Sequence, residues 1–96
     1  MEQIERIKTM EQHLERASQL VIQLSAAFDE YTEVQESLRE LEIYYSSNEW
    51  KQDFADDEAG LLPKDLKRGV LSEDAIWNVL EDSRALNLRM KELLNR

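Results

Sequence analysis

The chain concentrates all of its backbone breakers in one place: its two glycines and its single proline fall between Gly60 and Gly69. Met1 to Tyr45 is therefore free of them, and its apolar residues recur at alternating steps of three and four: Ile7, Met10, Leu14, Ala17, Val21, Leu24, Phe28, Tyr31. Those steps average about 3.5 residues, the period at which one stripe of a helix stays against a neighbouring helix. Strong helix formers (Glu, Gln, Arg, Leu, Ala) occupy the outward positions. A long helix over residues 1–45 follows.

The stripe shifts after Tyr31, since the next residue in phase is Gln35 and the apolar side chain comes one earlier, at Val34. Two successive steps of three overwind a helix or turn its buried face toward a new neighbour. Thr32 to Gln35 also fits a capping box, so a break near residue 32 is the alternative to a continuous rod. The pattern stops near Tyr44-Tyr45-Ser46-Ser47. Ser46 with Glu49 three later marks the N-cap of a short helix over residues 46–60, with Trp50 and Phe54 as its ridge and Gly60 as its left-handed stop. Residues 61–71 form a connector with Lys64 to Arg68 as a single turn, and Leu62 before Pro63 is biased away from helix. Ser72 is the expected N-cap of a last helix over 72–96, striped by Ile76, Val79, Leu80, Leu86, Met90, Leu93 and Leu94. The fold class is all-α, with no strand pattern or repeat.

Helix lengths pose a covering problem. About 43 residues of helix extend on the order of 60 Å, and about 22 residues only roughly 33 Å. The last helix is expected antiparallel to Ala26–Tyr45, which leaves Ile7, Met10, Leu14, Ala17, Val21 and Leu24 without an intrachain cover. A homodimer through that stripe is the simplest cover, because each large aliphatic side chain buried is worth roughly 1.5–3 kcal/mol.

Charge narrows the partners. The net charge is −9, and residues 1–62 hold 15 acidic against 5 basic side chains while residues 63–96 hold 6 against 7. Sequence-independent nucleic-acid binding is disfavoured, because phosphate contacts need a positive surface. Without cysteine, no disulfide or thiolate metal site is available, and His13 alone cannot build a histidine site. No signal-peptide pattern opens the chain and no apolar run reaches the ~20 residues of a membrane span, so a cytoplasmic protein without membrane contact is expected. No cofactor is expected either.

The segment from Trp50 to Asp74 is the most distinctive. With Tyr44-Tyr45 before it, and above all through Leu62-Pro63-Lys64-Asp65-Leu66-Lys67-Arg68-Gly69-Val70-Leu71-Ser72-Glu73-Asp74, the chain resembles domain-of-unknown-function family 4298. The resemblance implies a small helical bacterial protein and carries no catalytic residues.

Several clusters have both a chemical and a structural reading. Asp53, Asp56, Asp57 and Glu58 include three acids on one helical face, the minimum for a Mg²⁺ or Ca²⁺ ion, but lack the EF-hand spacing; a solvated or ion-paired surface is the expected reading. Glu30, Glu33, Glu36 and Glu40 line a helical face in the same way. Lys64, Lys67 and Arg68 would either grip an anionic partner or neutralise the acids upstream. Trp50, Phe54 and Trp77 are expected to pack together or against Tyr44 and Tyr45. His13 is expected beside the stripe, facing solvent or flanking a dimer. The favoured function is a non-enzymatic protein–protein interaction module, with Trp50, Asp53, Phe54, Pro63, Lys64, Lys67, Arg68 and Asp74 as residues that dock a partner or lock the fold. Two others stay open: a Mg²⁺-dependent enzyme for a small phosphorylated substrate, using Glu33, Glu36, Asp53 and Asp57, and an acidic decoy of a nucleic-acid-binding protein.

Overall fold

A computed structural model describes residues 2–96. Four α-helices follow one another: α1 (Gln3–Glu33), α2 (Gln35–Tyr45), α3 (Asn48–Glu58) and α4 (Ala75–Leu94), with a short 3-10 turn, Gly69–Leu71, before α4. No strand occurs among the described residues. The chain divides into two units, the first ending at Gln35 and the second running from Glu36 to Arg96.

The first unit is α1. The Glu2 carboxylate caps its start by accepting from the Ile4 N–H at 2.8 Å, an acid placed where the helix dipole favours it. The helix ends at Glu33, one residue before Val34, where the apolar stripe shifts. Val34 stays in the right-handed region (φ −81°, ψ 0°), and its N–H still donates to the Glu30 carbonyl at 3.1 Å. The expected capping box at Thr32 does not form. The Thr32 hydroxyl instead donates back to the Phe28 carbonyl at 2.9 Å, and the Gln35 amide donates to the Tyr31 carbonyl at 2.9 Å. These bonds take up carbonyls in the last turn of α1, and the continuous helix expected over 1–45 is instead two helices separated by the single residue Val34.

In the second unit α2 and α4 run antiparallel. The Tyr45 hydroxyl, at the end of α2, donates to the Glu73 carbonyl just before α4 at 3.0 Å. Arg84, further along α4, lies 3.9 Å from Glu42, further back on α2. The cover expected over Ala26–Tyr45 is thus found only on α2; Ala26–Glu33 belongs to the first unit, where Phe28 stays exposed. Leu71, Ile76 and Leu80 form the buried core, Ile76 being only 2 % exposed. Leu38, Leu41, Tyr44, Tyr45, Trp50 and Phe54 are half-buried around it.

Caps account for the boundaries. Ser47, not Ser46, starts α3: its hydroxyl accepts from the Trp50 N–H at 3.1 Å. The hydroxyl also donates to the Tyr44 carbonyl at 2.6 Å, tying the end of α2 to the start of α3. α3 ends in a Schellman motif. The Gly60 N–H donates to the Asp57 carbonyl and the Leu61 N–H to the Asp56 carbonyl, both at 3.0 Å, with Gly60 at φ 73°, where any side chain would be strained. α4 begins at Ala75 rather than at Ser72, yet Ser72 does cap it, its hydroxyl accepting from the Ala75 N–H at 3.2 Å. The residue directly before the helix, Asp74, makes no side-chain cap.

Candidate docking surfaces

The connector is held by a guanidinium. Arg68 Nη1 donates to Asp57 Oδ1 at 2.5 Å, Nη2 to the Pro63 carbonyl at 2.6 Å and Nε to the Leu66 carbonyl at 3.4 Å. Pro63 also accepts from the Leu66 N–H at 3.2 Å, which closes the turn at Lys64–Asp65. A planar fork of fixed donors suits this task, because one side chain can satisfy a carboxylate and two loop carbonyls together. Of the three clustered bases, Arg68 therefore neutralises the acids upstream. Lys64 and Lys67 are exposed, and among the described residues neither takes part in an ion pair.

Trp50 anchors the other end of the connector. Its indole N–H donates to the Val70 carbonyl at 2.8 Å. Its ring meets the edge of Tyr45 (centroids 5.0 Å apart, planes at 70°) and stacks with Phe54 (5.2 Å, 24°), both favoured aromatic geometries. Trp77, expected in this cluster, stays outside it and is exposed. On α4 it follows the buried Ile76 by one residue, a rotation of about 100° that carries it off the core face.

The acidic cluster is largely engaged. Asp53 Oδ2 accepts from the Tyr44 hydroxyl at 2.6 Å, Asp56 accepts from the Gln52 amide at 2.8 Å, and Asp57 holds Arg68. Glu36 pairs with Arg39 at 2.9 Å. No group of three acidic or histidine side chains placed to hold a metal ion occurs among the described residues. Tyr44 pays for its position in acidity: partial removal from water, then the hydrogen bond and charge of Asp53 and the charge of Glu49, push its hydroxyl up to about 12. The neutral phenol is the form favoured by folding, so this contribution is complete below pH 10. It is lost as pH rises from 10 toward about 12. Tyrosinate absorbance is expected to show one component near pH 12 that Tyr44→Phe removes.

Two apolar surfaces remain. A shallow groove of about 310 Å³ in the second unit is lined by Leu41, Val70, Ile76 and Val79 together with Lys67. On α1 the stripe is open from Ile7 to Phe28: Ile7 is 52 % exposed, Leu14 61 % and Val21 67 %, and Met10, Leu24 and Phe28 are similarly bare. Ala17 is exposed as well. Among the described residues no helix is long and apolar enough to cross a membrane.

The arrangement is that of a small helical protein whose connector is hydrogen-bonded to α3 through Trp50 and Arg68. Residues 7–93 match the family described as Domain of unknown function (DUF4298), and the chain belongs to that family. No curated protein and no solved structure matches it. The residues expected to dock a partner or lock the fold divide by their contacts. Trp50, Asp53, Phe54, Pro63 and Arg68 hold the second unit together, while Lys64, Lys67 and Asp74 are exposed and free of side-chain bonds to other residues. Of the two roles that the sequence left open for the bases, pairing with the acids upstream is found for Arg68 alone. Sequence reasoning missed the roles of the Tyr44 and Tyr45 hydroxyls, for which doubled tyrosines at a helix end were the available signal.

Proposed function

We propose that the protein is a non-enzymatic interaction module that works as a homodimer through α1. The observation that carries this reading is the bare stripe Ile7, Met10, Leu14, Ala17, Val21 and Leu24. It continues into Phe28, and together these side chains make a continuous apolar seam of the period that pairs helices. An isolated helix gains nothing by leaving such a seam wet, whereas a second copy removes it from water at roughly 25 cal/mol per Å². A protein partner in addition to the second copy would meet Lys64 and Lys67, the cations of the connector that the fold does not use, within an otherwise acidic surface.

Sedimentation equilibrium on the full chain tests the reading. Twice the 11.3 kDa chain mass is expected at micromolar concentration, and a single-chain mass there would overturn it.

A further inference from the structure

Resting on that dimer, we infer that the two copies of α1 pair antiparallel, centred near Gln19, with Met10 of each copy against Phe28 of the other. Side-chain size is the first argument. Bulk along the seam is uneven: Phe28 and Tyr31 lie at its C-terminal end and Ala17 in the middle. A parallel pair would place Phe28 on Phe28 and Ala17 on Ala17, making one layer too thick and another too thin. The antiparallel register centred on residue 19 sets Ile7 opposite Tyr31, Met10 opposite Phe28, Leu14 opposite Leu24 and Ala17 opposite Val21. No layer then pairs Phe28 with Phe28 or Ala17 with Ala17, so bulk is spread more evenly along the seam, as packing without voids requires. All eight seam residues are used, and Leu20, a bare flanking residue, meets its own copy at the centre.

Charge makes the second, independent argument. All three bases of α1, Arg6, Lys8 and Arg16, lie in its first half, and from Ala17 to Val34 the only charged residues are Asp29, Glu30 and Glu33. In an antiparallel coiled coil like flanks face each other. With Ile7 as an a position, Lys8 and Asp29 both fall at b, on one flank; Arg6 (g) and Glu30 (c) share the other. The register above brings Lys8 level with the Asp29–Glu30 region of the second copy, and Arg6 within two residues of Glu30. A parallel pair offers Arg6–Glu11 contacts at its N-terminal end but sets Glu30 beside Asp29 at the other, acid against acid. Pairs flanking a seam matter more for choice of partner and orientation than for affinity.

Nitroxide labels on introduced cysteines test the orientation directly, since the chain has no cysteine of its own. Glu5→Cys and Gln19→Cys both fall on the outer face of α1, away from the seam. At 1.5 Å rise per residue, two Glu5→Cys labels centred on residue 19 lie about 42 Å apart along the axis, so a label distance of about 45–50 Å is expected. Two Gln19→Cys labels are expected at about 25 Å, set by the helix separation and diameters alone. A distance of about 25 Å for Glu5→Cys in a protein that sediments as a dimer overturns the orientation and leaves the dimer standing. A labelled protein without dipolar coupling that also sediments as a monomer overturns the dimer itself, and with it the pairing.

Discussion

Leu14→Glu combined with Val21→Glu is expected to abolish association while leaving the helix content intact. Each copy would bring two carboxylates into the seam, four in the pair, and an unpaired charge removed from water costs several kcal/mol. Since 1.4 kcal/mol is a factor of ten in affinity, the dissociation constant is expected to rise by at least about 1,000-fold. Glutamate is a good helix former, and both positions are exposed within the single chain, so circular dichroism should barely change. Gln12→Glu, on the outer face of the same helix, supplies the control with added charge and unchanged association. Light scattering across a concentration series reads both variants. Undiminished association in the double variant would show that the seam is not the contact, whatever the wild-type mass.

The second large effect is expected at Ile76→Ala. Ile76 is the least exposed residue of a three-residue core, and truncation of a buried Ile to Ala removes three methyl or methylene groups and leaves a cavity, at a cost of roughly 2–5 kcal/mol. For a chain of this size each kcal/mol corresponds to about 4–8 °C in Tm, so a drop of more than about 10 °C is expected. The loss should be confined at first to the second unit, where Ile76 meets the groove beside Leu41 and Val79, and Trp50 fluorescence should report it. Trp77→Ala, one residue along but exposed, is expected to shift stability by no more than about 0.5 kcal/mol. Equal costs at the two positions would mean that α4 presents a different face to the core.

These expectations rest on features of unequal legibility. Gly60 could be read as the stop of α3 directly, because a left-handed residue after a run of helix formers leaves few alternatives. The start of α3 could not. Ser46 with Glu49 and Ser47 with Trp50 satisfy local capping equally well, and Ser47 prevails because its hydroxyl also reaches Tyr44 while Tyr44 is held by Asp53. The phase shift in the apolar stripe marked a break near residue 32 as the alternative to a continuous rod, and the break falls at Val34. Which side chains would take up the carbonyls beside it was not legible, since Thr32 is as good a cap as a back-bonding residue. Arg68 and Asp57 were recognisable as opposite charges eleven residues apart, but their meeting depends on a chain reversal whose geometry is set by Pro63, Gly60 and the Trp50–Val70 hydrogen bond together.

The sequence by itself determined the helical segments, apart from the division of residues 1–45 at Val34, and the apolar seam of α1, because periodicity, caps and breakers act over a few residues of contiguous chain. Tertiary structure alone decided that Trp50 belongs to the aromatic cluster and Trp77 does not, and that Arg68 is bonded within the fold while Lys64 and Lys67 are left to solvent. Those outcomes depend on which distant groups arrive within hydrogen-bonding or van der Waals distance, and local patterns carry no information on such encounters.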